Sequence, residues 1–286
     1  MQRGRMSLYF TCYLVCDALR GCIDYKMLNQ LIQAVKTVAH DEVMPCYLKV
    51  AHQRKSDGSI FTQADLAAQT ALNISLKKIV DCPVLGEEMT EAEQKQIWTD
   101  NRDALWCVDP IDGTTNFANG IPYFAVSVAL MKNHQAVLGA IYDPVADEIF
   151  CAEKGKGAFL NGVELPIKER VPTLREAVAE IDLKRLNAKL AAALAAHPPY
   201  SSARNFGAST LDWCYVAAGR FDVYLHGGQK LWDYAAGSLI LQEAGGFMRT
   251  LDSADFNSGD VWTRSVVAAL HKSVFDDWEN WIGENA

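Results

Sequence analysis

An apolar run that leads into two aspartates and a Gly-Thr-Thr turn constrains this chain more than any other feature. Residues 106–117 read WCVDPIDGTTNF. The apolar residues before the aspartates predict a short buried strand, and Pro110 keeps the chain between Asp109 and Asp112 extended. With the chain held out of a helix by Pro110, the carboxylates of Asp109 and Asp112 can both enter one cleft. Two hard oxygen ligands at the start of a helix suit Mg²⁺ and phosphate together.

Composition and charge describe an acidic globular protein. Of the 286 residues, 50% are hydrophobic and 22% are charged, which is enough for a sizeable core. The net charge of −8 argues against a nucleic-acid-binding surface. A chain of this charge that binds phosphate needs local positive charge at the site, and a bound metal ion would supply it.

The cysteines indicate the compartment. All eight are scattered, without a CxxC pair or a histidine at zinc spacing. This pattern favours buried free thiols over a disulfide framework. Because free thiols are typical of a reducing compartment, we predict a cytoplasmic protein.

The N-terminal segment, residues 1–26, contains a basic stretch and a short apolar run. The apolar run is well below the roughly 20 residues that a membrane-spanning helix needs. We interpret the segment as a poorly ordered extension, and a weak export signal is the alternative.

The rest of the chain is predicted to form one compact catalytic unit from an α+β half, residues 27–170, and an α/β half, residues 171–286. In the first half, hydrophobic periodicity predicts a long helix over 27–51, kinked at Pro45, and a second helix over 62–80. The strands expected in this half are 83–85, 105–108, 124–131, 136–142, 148–152 and 157–164.

The second half starts with a segment that is rich in Ala, Leu, Glu and Lys. Its composition predicts a helix over 174–196, which Pro198 would end. Strands and helices then alternate. The helices expected are 209–218, 232–243 and 273–281, and the strands are 221–225, 247–251 and 266–270.

Carboxylates at separate places in the chain are candidate metal ligands: Glu87, Asp109, Asp112 and Asp233. Glu87 lies in a Gly-Glu-Glu segment at 86–88, and Asp233 lies in LWDYAAG at 231–237. Asp-Pro and Asp-Gly are also common turn dipeptides, which is the alternative for an isolated DPxDG motif. The presence of all three segments in one chain favours a metal site over this alternative.

Gly113, Thr114 and Thr115 are candidate phosphate-binding residues. If a helix starts here, its first N–H groups lack internal partners and are available to a phosphate, which the helix dipole also favours. Gly113 allows close approach of the backbone. The alternative is that Thr114 serves only as the helix N-cap.

Together, GEE at 86–88, DPIDGTTNF at 109–117 and WDYAAG at 232–237 resemble segments of the inositol monophosphatase family of Mg²⁺-dependent phosphomonoesterases. The resemblance covers residues 27–285. It implies a layered α/β/α/β/α sandwich of the inositol monophosphatase and fructose bisphosphatase type, with the site between the two halves. It also implies a homodimer, inhibition by Li⁺, and two to three bound Mg²⁺ ions.

The same resemblance implies how metal ions are held. Glu87, Asp109 and the Ile111 carbonyl would hold one ion, and Asp109, Asp112 and Asp233 would hold a second.

Asp65 is a candidate ligand only through the resemblance. It belongs to a Thr-x-x-Asp segment at 62–65 that matches the family, and by itself this segment indicates an ordinary capped helix start. The resemblance implies a third, weaker ion near Glu87 and Asp65.

The candidate catalytic residues are Glu87, Thr114 and Asp112. The implied reaction is in-line attack on phosphorus by a metal-activated water. Thr114 and Glu87 would orient this water and manage its proton, and no covalent phosphoenzyme is expected.

The resemblance also implies the candidate substrate contacts, which are Gly207, Ala208, Ser209, His226 and Asp233. His226 falls where inositol-specific enzymes carry a glutamate that accepts hydrogen bonds from inositol hydroxyls. A histidine suits a different hydroxyl pattern or a second anionic group; the alternative is a loop residue without a binding role. Lys184 and Arg185 would be able to reach a second phosphate, although a basic pair on a helix is usually a solvated face.

We therefore predict a cytoplasmic, Mg²⁺-dependent phosphatase for a small phosphate monoester that resembles inositol 1-phosphate. Alternative substrates are histidinol phosphate, fructose 1,6-bisphosphate, NADP and adenosine 3′,5′-bisphosphate. A hypothesis from another class is a regulatory partner of RNA or the transcription machinery that uses the same fold. The acidic charge disfavours direct RNA contact.

Overall fold

The computed structural model describes residues 26–49, 53–54, 60–168 and 170–286 of the chain. The predicted extension, residues 1–26, lies outside this part of the chain except for Lys26. Lys26 begins the first helix and so belongs to that helix.

The described residues contain free cysteines and no helix that could span a membrane. Five cysteines lie within the described residues and all are free thiols: Cys46, Cys82, Cys107, Cys151 and Cys214. None of the described helices is both long and apolar enough to cross a membrane.

The first helix, α1 (Lys26–Val38), buries a single apolar face and continues as a π-helical turn, Ala39–Val43. The predicted helix over 27–51 is wrong in its second half, because residues 44–49 form turns. Pro45 explains the early end, since it has no N–H to donate and its ring clashes with the carbonyl four residues upstream.

The second helix, α2 (Gln63–Lys77), begins at Thr62, as the sequence predicts. The hydroxyl of Thr62 accepts a hydrogen bond from the N–H of Ala64 at 3.2 Å. A short antiparallel ribbon of β1 (Gln53–Arg54) and β2 (Ile60–Phe61) precedes this helix.

A seven-stranded sheet forms the body of the first half, with its strands in sequence order from β3 to β9. The strands are β3 (Val84–Gly86), β4 (Leu105–Asp112), β5 (Ala125–Lys132), β6 (Gln135–Asp143), β7 (Glu148–Glu153), β8 (Ala158–Leu160) and β9 (Val163–Glu164). The β3–β4 pair is parallel and the others are antiparallel. Helix α3 (Glu91–Asp100) connects β3 to β4, and α4 (Thr114–Asn119) follows β4.

A five-stranded mixed sheet forms the body of the second half, in the order β11-β10-β12-β14-β13. Its strands are β10 (Val178–Asp182), β11 (Ser202–Arg204), β12 (Val223–Gln229), β13 (Phe247–Arg249) and β14 (Arg264–Ala269). The helices of this half are α5 (Ala188–Ala196), α6 (Ser209–Ala217), α7 (Leu231–Glu243) and α8 (Lys272–Asn285).

The helix predicted over 174–196 is wrong in its first half. The structure has a 3₁₀ turn at Leu174–Glu176, strand β10, a second 3₁₀ turn at Leu183–Arg185, and a helix only from Ala188. Strand β10 pairs with strands on both sides, β11 and β12. This pairing and the burial of the three central residues of β10 outweigh the helix propensity of the segment.

The elements stack as helices, sheet, helices, sheet and helices. Helices α1 and α2 cover one face of the seven-stranded sheet, and α5 and α8 cover the outer face of the five-stranded sheet. Helices α6 and α7 lie between the two sheets and pack on both. In β12, Val223 and Leu225 join the outer core while Tyr224 joins the central one, as expected for side chains that alternate across a sheet. The predicted α/β/α/β/α sandwich is therefore confirmed.

The central layer depends on small residues in α7. A Cβ at Gly237 would lie 2.5 Å from Cβ of Trp213 in α6, and a Cβ at Gly139 of β6 would lie 3.3 Å from Cα of Ala236 in α7. No side chain fits at Gly237 unless α6 and α7 move apart, because the Trp213 ring is fully buried.

A buried acid, Glu180 of β10, faces this central layer and is 1% exposed. Its Oε1 accepts a hydrogen bond from the N–H of Phe206 at 3.3 Å. Burial raises the pKa of Glu180 to about 7; the charge of Asp182 also raises it, whereas the Phe206 N–H and Arg204 lower it. Burial, followed by the charge of Glu180, raises the pKa of the neighbouring Asp212 well above its usual range.

We predict that Gly237→Ala lowers the free energy of unfolding by about 1–3 kcal/mol, because the added methyl group overpacks the α6–α7 contact. Gly283→Ala is the matched control, since it also changes a glycine within a helix and nothing lies within 4 Å of its added Cβ. That substitution should stabilise the protein by about 0.5–1 kcal/mol through helix propensity. Urea unfolding of both variants measures the difference, and equal effects would contradict the packing argument.

We predict that Glu180→Gln stabilises the protein in a pH-dependent way. A raised pKa in the folded state means that the stability contributed by neutral Glu180 is present below its ordinary pKa of 4.5 and is lost as the pH rises through about 7. The free energy of unfolding of the variant relative to wild type should therefore increase across this window by about 3 kcal/mol. Denaturant unfolding at a series of pH values tests this, and a pH-independent difference would contradict it.

Candidate active site

Three of the predicted ligands meet at one point, where the end of β4 faces the first turn of α7. Oxygen atoms of Asp109, Asp112 and Asp233 all lie within 4.8 Å of one another. The first two residues lie at the end of β4, and Asp233 lies in the first turn of α7. The structure therefore brings together carboxylates that are more than 100 residues apart in sequence, consistent with a shared site.

A β-bulge explains how Asp109 and Asp112 reach the same side of β4. In a regular strand, residues three apart point to opposite faces. Here Asp109 pairs with Ser127 and Asp112 pairs with Ala125, so the β4 segment contains one residue more than the opposing β5 segment. The extra residue turns both carboxylates toward α7.

Backbone N–H groups fix two of the carboxylates. The N–H of Ile111 donates to Oδ1 of Asp109 at 3.1 Å. The N–H of Lys230 donates to Oδ2 of Asp233 at 2.9 Å, at the start of α7. Both bonds arise from local geometry, so the carboxylate orientation is set by the same turns that end β4 and begin α7.

Thr210 fixes the third carboxylate, and sequence analysis did not identify this role. Its N–H and hydroxyl donate to Oδ2 of Asp112 at 2.6 and 2.7 Å. Thr210 belongs to α6, so these bonds connect the second half of the chain to β4 of the first. Its position directly after Ser209, a predicted substrate contact, was the only signal that could have pointed to it.

Burial and mutual repulsion both disfavour the charged forms of the three carboxylates in the cluster. Burial, and then the charges of Glu87, Asp112, Asp233 and Asp65, raise the pKa of Asp109 well above its usual range. Burial raises the pKa of Asp112 to about 6, even though the hydrogen bonds from Thr210 lower it. The pKa of Asp233 is also raised well above its usual range, by burial and by Asp112. A group of hard oxygen donors with excess negative charge fits a divalent cation such as Mg²⁺.

Glu87 and Asp65 lie around this cluster. Glu87 follows β3, and its N–H donates to the carbonyl of Val108 in β4 at 3.2 Å. Asp65 is fully buried in the first turn of α2, where its Oδ2 accepts from the N–H and hydroxyl of Thr62 at 2.8 and 2.6 Å. Both charges act on Asp109, but neither residue belongs to the group of three within 4.8 Å.

The predicted phosphate segment adjoins the cluster. Gly113 is the N-cap of α4 with φ of 82°, a left-handed conformation that favours glycine. Thr114 is the first helical residue, so the alternative of an N-cap role for Thr114 is wrong. Its hydroxyl instead donates to the Ile111 carbonyl at 2.9 Å. Thr115 follows in the same turn and is exposed.

The predicted substrate segment packs against Gly113. A Cβ on Gly113 would lie 3.0 Å from Cβ of Ala208, so the two segments are in close contact. Gly207 has φ of 78°, and Ser209 begins α6. Asn116 of α4 reinforces this junction by donating to the Phe206 carbonyl at 2.7 Å.

His226 is 3% exposed, in β12, so the alternative of a loop residue is wrong. Its Nδ1 accepts the N–H of Gly228 at 3.1 Å, which assigns the proton to Nε2. Nε2 lies 3.2 Å from Oδ2 of Asp182 and donates to it. Burial lowers the pKa of His226, while Asp182 raises it.

The basic pair after β10 lies on a 3₁₀ turn and not on the predicted helix. Nη1 of Arg185 donates to Oδ2 of Asp182 at 2.6 Å, so Asp182 joins Arg185 to His226. The charge of Arg185 lowers the pKa of Asp233, although burial and the charge of Asp112 raise it by more. Lys184 is exposed.

Comparisons with known proteins agree with this geometry. The sequence profile of the inositol monophosphatase family matches residues 23–278. The chain is 36% identical over 244 residues to inositol-1-monophosphatase of Mesorhizobium japonicum, covering 79% of this chain and 86% of that protein. It is 35% identical over 257 residues to Nus factor SuhB of Haemophilus influenzae, covering 85% of this chain and 91% of that protein.

A comparison with solved structures finds the same fold in a member of this family. The fold superposes on the IMPase of Thermotoga maritima with a TM-score of 0.77 at 27% identity, covering 91% of this chain and 97% of the other. The family profile and the relatives above 30% identity extend over most of the chain. The protein therefore belongs to the inositol monophosphatase family.

Proposed function

We propose that this protein is a Mg²⁺-dependent phosphatase that hydrolyses a small phosphate monoester. The observation that carries the proposal is the convergence of Asp109, Asp112 and Asp233 within 4.8 Å, next to the segment that begins α4. Membership of the inositol monophosphatase family supports phosphatase chemistry at this site.

The residues proposed to hold two to three Mg²⁺ ions are Glu87, Asp109, Asp112, Asp233, the Ile111 carbonyl and, for a third ion, Asp65. Bound metal supplies positive charge for the phosphate and lowers the pKa of a water molecule. The repulsion among the buried carboxylates supports this assignment, because a cation removes it.

The side chains around the cluster have separate proposed roles. Gly113, Thr114 and Thr115 bind the phosphate oxygens through the turn that begins α4. Thr114 and Glu87 orient the attacking water and manage its proton. Asp112, the third proposed catalytic residue, is held by Thr210 so that its second oxygen stays directed at the cluster. Attack by water on phosphorus requires no covalent enzyme intermediate.

The pocket for the rest of the substrate is proposed to include Gly207, Ala208 and Ser209. His226 directs its Nε2–H to Asp182, so it presents no carboxylate to accept a hydrogen bond from an inositol hydroxyl. Arg185, which also pairs with Asp182, is the proposed cationic group of this pocket, and its charge lowers the pKa of Asp233. This arrangement supports a substrate with a second anionic group, such as a bisphosphate, over inositol 1-phosphate.

Other properties of the protein stay predictions: a homodimer, inhibition by Li⁺, a cytoplasmic location, and the division of the chain near residue 170. A regulatory role is the second candidate function, because relatives named Nus factor SuhB match this chain at 34–35% identity.

The experiment that separates the two functions is a phosphate-release assay with and without Mg²⁺. The panel is inositol 1-phosphate, fructose 1,6-bisphosphate, histidinol phosphate, NADP and adenosine 3′,5′-bisphosphate. Mg²⁺-dependent release from one of them supports the phosphatase. Normal Mg²⁺ binding without release from any of them would favour the regulatory role.

We predict that Asp109→Asn abolishes turnover and leaves the fold intact, because Asp109 is the carboxylate on which most of the neighbouring charges act. The loss should exceed the roughly 100-fold effect of removing an outer partner of a metal site. Asp103→Asn, an exposed substitution in the loop before β4, is the control and should keep full activity. Turnover by Asp109→Asn at a substantial fraction of wild type contradicts the shared-ligand assignment.

We predict that Arg185→Gln raises KM for a bisphosphate substrate by about tenfold, the effect of losing one charge-assisted hydrogen bond. The KM for inositol 1-phosphate should rise less, because that substrate has only one anionic group. Lys184→Gln is the matched control, since Lys184 is the exposed neighbour in the same turn. Equal changes in KM for both substrates would show that Arg185 does not bind a second anionic group of the substrate.

A further inference from the structure

Arg264, the first residue of β14, carries a buried positive charge with no acidic partner. The residue is 5% exposed. Among the described residues, no carboxylate lies within the 4.0 Å of an ion pair with its guanidinium. Asp260, the acid nearest in sequence, is exposed and accepts the N–H of Trp262 instead.

The N–H groups of Arg264 are also poorly satisfied. One Nη2 hydrogen bond reaches the Asn257 carbonyl at the long distance of 3.4 Å. The Nε atom is buried and has no hydrogen-bond partner among the described residues. Two aromatic rings, Tyr234 at 4.7 Å and Phe256 at 5.2 Å, stack near the guanidinium carbon. Such rings stabilise the faces of a guanidinium but do not accept hydrogen bonds at its edge.

A guanidinium in this environment needs an anion. Arginine stays protonated in proteins, so Arg264 cannot lose its charge to avoid the cost of burial. A buried charge without an opposite charge is costly, and an unpaired buried donor adds to that cost. An oxyanion satisfies both needs at once, because it brings negative charge and accepts several N–H bonds.

A cavity of about 200 Å³ is available beside Arg264. Other polar groups line it, among them His134, Gln135, Ser238 and Asn257. The ring of His134 stacks on Trp98, with 4.0 Å between the ring centroids, and forms part of the same wall. The volume corresponds to several water molecules at about 30 Å³ each, which is enough for phosphate or a small carboxylate.

The cavity is separate from the carboxylate cluster. Leu231, Tyr234, Ala235 and Ser238 line it from one side of α7. Asp233, which belongs to the cluster, projects from a different side of the same helix. The negative charge of the cluster repels anions, whereas Arg264 attracts them.

We propose that this cavity is a second binding site, for a small oxyanion that carries a phosphate or carboxylate group, and that Arg264 is its anchor. The site lies behind the helix that positions Asp233.

Thermal unfolding of the full-length protein tests the proposal. The protein is kept in EDTA, so that the carboxylate cluster stays without metal and repels anions. Inorganic phosphate and malonate are titrated separately, with chloride at matched ionic strength. An anion that binds only the folded state raises the unfolding midpoint in a saturable way. We expect this rise for wild type with at least one of the two oxyanions.

Variants locate the binding site. Arg264→Gln should need about tenfold more oxyanion for the same rise in unfolding midpoint, because the charged guanidinium is lost. Arg175→Gln, an exposed arginine elsewhere in the second half, is the matched control and should respond as wild type does. If Arg264→Gln does not fold, Ser238→Met keeps Arg264 and fills the cavity, and it should weaken the response in the same way.

Each outcome decides the proposal. A rise in the unfolding midpoint with only phosphate or only malonate supports the proposed site and identifies the chemical group that it binds. An equal rise in wild type and Arg264→Gln overturns it, as does an equal rise in wild type and Ser238→Met. A rise with chloride that equals the rise with the oxyanions also overturns it.

Discussion

The burial and mutual repulsion of three carboxylates at one point are the constraint on which the architecture of the site depends. Asp109, Asp112 and Asp233 have oxygen atoms within 4.8 Å of one another, and burial strengthens the repulsion. The chain holds them there by backbone geometry and hydrogen bonds: the bulge in β4, the N–H at the start of α7, and the two bonds from Thr210. An arrangement that is unfavourable without a cation is preorganised to receive one.

The central helical layer connects this site to the rest of the molecule. Helix α6 provides Thr210, and α7 provides Asp233, so the two helices between the sheets complete a site that begins on β4. Their close contact at Gly237 and Trp213 sets the distance between them. Helix α7 also forms a wall of the Arg264 cavity, so one helix borders both a cation-attracting cluster and an anion-attracting cavity.

Much of the fold and site could be predicted from sequence because the motifs are local. The DPIDG segment predicts its own strand and turn, and its occurrence together with the segments around Glu87 and Asp233 favoured a metal site over an ordinary turn. Strand β10 could not be predicted, because its composition favours a helix and its pairing with β11 and β12 is distant in sequence. Thr210 was missed for a similar reason: its partner, Asp112, is 98 residues away. The contact between His226 and Asp182 also needed the second sheet, since the two residues meet across β10 and β12.

The central claim is that the carboxylate cluster is a divalent cation site. A titration of Mg²⁺ against the thermal unfolding midpoint of wild type and Asp109→Asn tests it most directly. A cation that binds only the folded state adds about 2.7 kcal/mol at 100 times its Kd. Wild type should gain stability with Mg²⁺, and Asp109→Asn should be more stable than wild type without Mg²⁺ and gain less with it. A midpoint of wild type that does not change with Mg²⁺, or an unchanged gain in Asp109→Asn, would contradict the account.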